Sequence, residues 1–381
     1  MNELIAPYAR ALAQEIRFAG RRVGSEAHSI FFGGGTPSLT PLDSLSRIFA
    51  AIRESFALTG DCEITLEANP GTVTLEYLAG LRSLGVNRLS FGVQSAHGNE
   101  LALFNRIHSF EETCQAVLMA RRAGFDNVNL DLIYGIPGQT LQRWQESVAR
   151  ALELGPEHLS LYALSLEYGT PMRAWVQRGL LAEPDTDLAA EMYEWADEAL
   201  ARAGFEQYEI SNWARTKDEG GRMKAENQWT IVPPSSFCLP TFACRHNLQY
   251  WRNEPYLGFG AGAHGCMNGV RCSNVLSPAA YIQRIESGEA RPFPFSPALA
   301  ESIPVDAKTE RDETMLLGLR LTQEGVGKDD FRQRFGVAMD DVYAKELNEL
   351  KERGLVEWDG AAVRLTKGGR LVANWVFEKF V

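Results

Sequence analysis

Three consecutive glycines, Gly33 to Gly35, close the apolar run SIFF and are followed by Thr36 and Pro37. Glycines after a strand leave bare backbone N–H groups that a ligand can approach closely. With a helical stretch soon after, they form a candidate phosphate or anion loop. The stretch matches neither G-x-G-x-x-G nor a Walker loop, and a tight turn accounts for it equally well at this point. Glu67 in TLEANPG is a carboxylate suited to hold a ribose hydroxyl or an ammonium group. Gln94 in SFGVQS and Asp131 in NLDLIYG stand at equivalent strand ends, and Arg106 in FNRIHS is suited to pair with a carboxylate.

Such residues act together only if strands deliver them to one rim. The stretches SIFFGG, CEITLEA, VNRLSFGV, NVNLDLIYG and HLSLYALSLE read as strands, and amphipathic helical stretches separate them. Several of the helices close on a glycine, Gly85, Gly124 or Gly155. The alternation predicts βαβ units and a parallel sheet, whose C-terminal strand edge is the functional one. Four strand ends converging on that edge carry more weight than any single motif. The chain itself begins on a helix, with Leu4, Tyr8, Leu12 and Ile16 at helical spacing. In a βα repeat this is what remains when a first strand and its loop are absent.

The pattern divides the chain into residues 1–170, a middle region at 171–305, and a unit at 306–381. The middle region contains 216–243, an aperiodic stretch too long for an ordinary loop and read as an insertion. The last unit has the helix, helix, helix, strand, strand, helix order of a winged helix. Its third helix, MDDVYAKELNELKERG, is more acidic than basic, which favours a packing or docking role over DNA reading. The formal net charge of −11 likewise argues against nucleic acid as a partner. No apolar run approaches the roughly 18 residues of a membrane span. The N-terminus lacks the features of a signal peptide, so a cytoplasmic location with reduced cysteines is expected. Cys238 and Cys244, and again Cys266 and Cys272, have wider spacings than metal-binding pairs prefer. Cys62 and Cys114 read as small buried hydrophobes.

GGGTP, LEANPG, NRLSFGVQS, NRIHS and NVNLDLIYGIPGQT, in this order, resemble the radical S-adenosylmethionine (SAM) proteins related to oxygen-independent coproporphyrinogen III oxidase. CRHNLQYW and GFGAGAHG point more narrowly to the HemW-type haem chaperone branch. The resemblance covers nearly the whole chain. It implies an incomplete (β/α)6 barrel of the partial TIM type, N-terminally truncated here, with a C-terminal winged-helix-like domain. S-adenosylmethionine would lie at the rim, its methionyl end against Gly34, Gly35 and Thr36, with Glu67, Gln94, Arg106 and Asp131 completing the pocket. A further backbone contact is implied near Ser165.

The same family carries a [4Fe–4S] cluster on CxxxCxxC just after the first barrel strand, and this sequence has no such motif. The missing strand and the missing cysteines are therefore expected to be one deletion, with an in-frame coding segment upstream of Met1; a genuinely cluster-free paralogue is the second reading. His246, Asn247, Tyr250 and Trp251 form the branch's HNxxYW signature. Imidazole can ligate haem iron and the aromatics could wall a porphyrin, although such a cluster is often only a hydrogen-bonded core feature. His264 in GAGAHG is the rival ligand. The expected function is that of a chaperone that binds haem and S-adenosylmethionine and hands haem to acceptor apo-proteins, meeting a membrane only peripherally through those acceptors. The competing readings are a coproporphyrinogen oxidase of porphyrin biosynthesis, which this chain could not be without its cluster, and an unrelated α/β barrel for a phosphorylated metabolite.

Overall fold

The strands of the N-terminal half alternate polar with apolar residues, and a single curled sheet sends the two sets to opposite faces. The computed structural model describes residues 2–20, 22, 24, 26–106, 108–217, 239–289 and 291–381. Strands β1 (Ala27–Phe32), β2 (Leu58–Ala68), β3 (Arg88–Gln94), β4 (Val128–Tyr134) and β5 (His158–Ala163) pair in chain order, all parallel. Ile64, Leu66, Leu89, Phe91, Leu130 and Leu159 turn outward into the main core with Phe49, Leu78 and Trp144. These last three come from α2 (Leu42–Ser55), α3 (Leu75–Leu84) and α6 (Leu141–Glu153), while α4 (Gly98–Leu103) and α5 (Phe110–Arg122) follow β3. The lead helix α1 (Asn2–Gly20) packs on α2 through Ala9, Ala13 and Ile16.

The middle region begins with helices α7 (Pro171–Gln177) and α8 (Thr186–Arg202), and the segment FEQYEISNWAR after them folds as the hairpin β6 (Phe205–Glu209) and β7 (Asn212–Arg215). Tyr208 and Trp213 are buried aromatics suited to strands, and β7 adds antiparallel to β5, extending the sheet to seven strands. Most of the 216–243 insertion, including Cys238, lies outside the described residues.

A short helix, α9 (Arg245–Trp251), carries the HNxxYW motif. It is followed by an antiparallel sheet of β8 (His264–Met267), β9 (Val270–Asn274) and β10 (Leu299–Pro304), with α10 (Pro278–Ser287) between the last two. The glycine-rich GFGAGAHG loop leans on α1. Glu15 accepts hydrogen bonds from the Gly260 N–H at 2.8 Å, the Tyr281 hydroxyl at 2.6 Å and the Asn274 amide at 2.8 Å. Gly258 must be glycine, because a Cβ there would fall 1.9 Å from the His264 carbonyl oxygen.

The C-terminal portion comprises α11 (Ala307–Gly318), β11 (Val326–Gly327), α12 (Lys328–Phe335), α13 (Met339–Glu352), β12 (Val356–Trp358) and β13 (Ala362–Leu365), then short helices. It has its own core around Met315, Phe331, Leu347, Leu365 and Phe377. Among the described residues, no helix is long and apolar enough to cross a membrane.

Candidate functional site

The register of the parallel strands stacks their inward residues in layers. Phe31, Thr65 and Arg88 share one level; Glu67, Ser90, Asn129 and His158 share the next; Gly92, Asp131 and Ser160 lie above them. A cavity of about 190 Å³ runs through these layers, lined from the strands by Phe31, Glu67, Arg88, Gln94 and Asp131 among others, and from α9 by Asn247. Glu67, Gln94 and Asp131 are thus brought together. Arg106 lies beside them, since a Cβ on Gly92 would sit 2.9 Å from Gln94 Nε2 and 3.8 Å from Arg106 Nη2. Gln94 has φ of +67°, a costly conformation for a residue with a side chain, and of the kind that clusters at ligand clamps.

The glycine triplet divides into two roles. A Cβ on Gly33 would meet Phe31 Cε1 at 2.7 Å and Glu67 Oε1 at 3.2 Å, so this position must be bare for the pocket wall itself. Gly34 and Gly35 have φ of +82° and +65° and nothing within 4 Å of a built Cβ, so they face open space. The Gly34 N–H donates to Glu67 Oε2 at 3.3 Å. Thr36 is half-buried, and its carbonyl accepts from the Leu39 N–H at 3.0 Å.

Burial raises the carboxyls of both Glu67 and Asp131 above their ordinary range, and in Glu67 the Asp131 charge adds to the effect. Asp131 is held by the Asn129 amide at 2.8 Å and the Ser90 hydroxyl at 3.1 Å. The network continues away from the rim. His158 Nδ1 lies 2.6 Å from Asn129 Oδ1 and its Nε2 lies 2.8 Å from the Tyr208 hydroxyl, which accepts from the Cys244 N–H at 3.2 Å. Because Asn129 Oδ1 can only accept, His158 Nδ1 carries the proton and Tyr208 donates to Nε2. One directed chain of hydrogen bonds therefore joins the residue that caps α9 to Asp131. Burial holds His158 neutral, well below its ordinary pKa, and pushes the Cys244 thiol up to about 12.

Glu63, in the middle of β2, fixes the same helix end. It accepts from the Arg245 and His246 N–H groups, each at 3.2 Å, and from Cys244 Sγ at 3.4 Å. This turns the consecutive residues His246 and Asn247 to different surroundings. Asn247 faces the cavity, while the His246 ring stacks on Phe31 at 4.9 Å with Nδ1 3.2 Å from the Ser29 hydroxyl. Tyr250 meets the His246 ring edge-on at 4.9 Å. Trp251 points the other way, its ring covered by the Arg320 guanidinium at 4.2 Å. His264 is exposed on β8. Ser165 lies in the loop after β5, donating to Glu167 at 2.9 Å.

Phe31, Arg88, Ser90, Asn129, Ser160 and Tyr162 line the cavity too and were not singled out from the sequence. A signal was there. Fully covered parallel strands are near-continuous hydrophobic runs, yet NRLSFGVQ alternates Arg88, Ser90, Gly92 and Gln94 with Leu89, Phe91 and Val93. Polar alternation in such a strand marks a lumen.

Residues 5–151 match the family description "Radical SAM superfamily" and residues 305–372 match "HemN C-terminal domain". The heme chaperone HemW of Bacillus subtilis is 36% identical over 383 residues, covering 100% of this chain and 92% of that protein. The chain belongs to the HemW-type branch of the radical SAM superfamily. The heme chaperone HemW of Mycobacterium tuberculosis is 35% identical, covering 96% of this chain and 84% of its own length. A mitochondrial radical S-adenosyl methionine domain-containing protein 1 from Bos taurus is 34% identical, covering 94% and 76%. Among solved structures, coproporphyrinogen III oxidase from Escherichia coli superposes with a TM-score of 0.77 at 23% identity, covering 98% of this chain and 82% of that one. That likeness establishes the fold, a partial radical SAM barrel with an appended C-terminal unit.

The residues of this HemW-type chain fit the two family cofactors unequally. Open space over two glycines, buried acids and a strained glutamine suit a ligand carrying both ammonium and hydroxyl groups, as S-adenosylmethionine does. The iron–sulfur cluster is not matched. The sequence contains no CxxxCxxC, and among the described residues no group of three or more His, Cys, Asp and Glu is placed to hold a metal.

Proposed function

We propose that this protein is a haem chaperone-like member of its family, binding S-adenosylmethionine at the barrel rim and haem at α9, and passing haem to acceptor apo-proteins in the cytoplasm. The observation that carries the haem assignment is the placing of His246, whose ring is held between Phe31 and Tyr250 with Nδ1 3.2 Å from the Ser29 hydroxyl. Burial lowers its pKa to about 4, in keeping with a neutral ring. In the tautomer whose Nδ1–H donates to the Ser29 hydroxyl, Nε2 would keep its lone pair for iron, and stacking on Phe31 fixes the ring plane. Tyr250, edge-on to that ring, would flank the bound haem, and Trp251 on the same helix stacks under Arg320.

In the rim site Glu67 and Asp131 would receive the cationic end of S-adenosylmethionine, and Gly34, Gly35 and Thr36 would lie against its backbone, with Gln94 and Arg106 closing the side. When bound, S-adenosylmethionine supplies a sulfonium cation. The residues themselves supply orientation and charge matching. Titrating haem into wild type and His246→Ala while recording the Soret band tests the assignment. Loss of the ligated spectrum in the variant is expected. An unchanged spectrum and affinity would transfer the role to His264, examined by His264→Ala.

A further inference from the structure

Arg88 is the least expected residue of the lumen. Its side chain is only 2% exposed, and among the described residues it makes no hydrogen bond or ion pair, its Nε being buried without a partner. A guanidinium presents five donors and cannot shed its charge, so leaving it bare in the interior is expensive. Burial works against that charge, but Cys244, Glu63, Tyr208 and Asp131 more than offset it and hold the group above its ordinary pKa.

The neighbouring acids do not complete the account, because each is turned to donors of its own. Glu63 caps α9, Asp131 is held by Asn129 and Ser90, and Glu67 accepts from Gly34. Two more polar groups nearby are also unmatched. The Thr65 hydroxyl, in register with Arg88, is buried without a partner, and the Asn247 amide lines the cavity with no side-chain hydrogen bond among the described residues.

We propose that Arg88, with Asn247, forms an oxyanion subsite in the lumen for the carboxylate group of a small molecule. The planar fork of the guanidinium matches a carboxylate in bidentate geometry, and the amide adds a donor from the cavity wall. A doubly charged phosphate would meet repulsion from Glu67 and Asp131, one and two layers above. The macrocycle of haem is too large for a cavity of about 190 Å³. Two sources of carboxylate remain: the methionyl end of S-adenosylmethionine, which rests on the rim assignment proposed above, and a separate small acid.

Calorimetry on the full chain with S-adenosylmethionine and with its decarboxylated analogue, beside thermal melts in sodium acetate against sodium chloride at equal ionic strength, separates these sources. If the methionyl group is the occupant, wild type prefers the intact molecule by at least tenfold and Arg88→Gln erases the preference. If a separate acid is the occupant, the two forms bind alike, while acetate raises the melting temperature of wild type and not of Arg88→Gln. Should neither form bind, the rim assignment fails and the acetate arm alone decides the subsite. Should Arg88→Gln not fold, Arg88→Lys and Asn247→Leu take its place, each expected to reduce the preference or the acetate shift. The subsite is refuted if wild type shows neither effect, or if the effect survives undiminished in the variants.

Discussion

Alanine at Gly35 separates the cost of backbone strain from the exclusion of a ligand. With φ of +65°, a Cβ there costs roughly 1–2 kcal/mol, the usual penalty of the left-handed region. It touches no atom within 4 Å, so no clash adds to that cost in the free protein. Strain of this kind is present in both free and bound states and cancels from an affinity. Any loss of S-adenosylmethionine binding in Gly35→Ala therefore reports contact with the ligand, and a tenfold loss corresponds to about 1.4 kcal/mol. Gly33→Ala is the control with the opposite character. Its Cβ would press on Phe31 at 2.7 Å, and Phe31 cannot retreat because His246 stacks on it at 4.9 Å. Overpacking there costs about 1–3 kcal/mol without any ligand present. Calorimetric titration and urea unfolding of both variants decide the matter. Gly35→Ala should be mildly destabilised and lose at least tenfold in affinity, whereas Gly33→Ala should lose more stability. Wild-type affinity in Gly35→Ala would refute the placing of the ligand over the bare glycines.

Glu63→Gln keeps the shape of the α9 cap but removes its charge, and should cost roughly 1–2 kcal/mol by urea unfolding, in line with lost helix caps; an unchanged midpoint would show that Glu63 does not hold the helix. The His246 ring has a folded pKa of about 4 against an ordinary 6.5, so the unfolded chain takes up the proton first as pH falls between these values. Stability should therefore drop from pH 6.5 towards 4, and less steeply in His246→Asn; equal slopes in urea midpoints would contradict the neutral buried ring. Tyr208→Phe cuts the hydrogen-bond chain between Cys244 and Asp131 and should change the ratio of haem affinities measured with and without S-adenosylmethionine; an unchanged ratio in double titration would show that the chain carries no coupling. Anaerobic reconstitution of the 381-residue chain should give no four-iron cluster, since CxxxCxxC is absent; near-stoichiometric iron and sulfide would disprove it.

What was legible in the sequence followed from strand ends, and what was not followed from strand interiors. GGGTP, LEANPG and GVQS each break an apolar run with residues that have no reason to sit at a sheet edge, and their order along the chain places them on successive strands of one parallel sheet. Arg88 and His158 open strands in which polar and apolar residues alternate, and a count of hydrophobic residues that ignores this alternation hides them. The hairpin Phe205–Glu209 and Asn212–Arg215 was missed for a related reason. Its residues are buried regardless of polarity, Gln207, Glu209 and Asn212 included, so no alternation announces a strand.

The position of α9 is the clearest case of tertiary information that no local pattern contains. His246 and Asn247 are neighbours on a short helix, and nothing in HNLQYW says that one ring will stack outside Phe31 while the next side chain enters the lumen. That division depends on Glu63, far earlier in the chain, whose carboxylate gathers two backbone N–H groups and a thiol at the helix start. Phe31 then lies between the two roles, since it lines the cavity on one side and carries the imidazole on the other. A ligand that displaces Phe31 from within the cavity must disturb the His246 ring, and a metal held by that ring must resist the displacement. Coupling between the two sites therefore needs no moving domain. It would follow from the single Phe31 ring, which faces the cavity on one side and carries the His246 ring on the other.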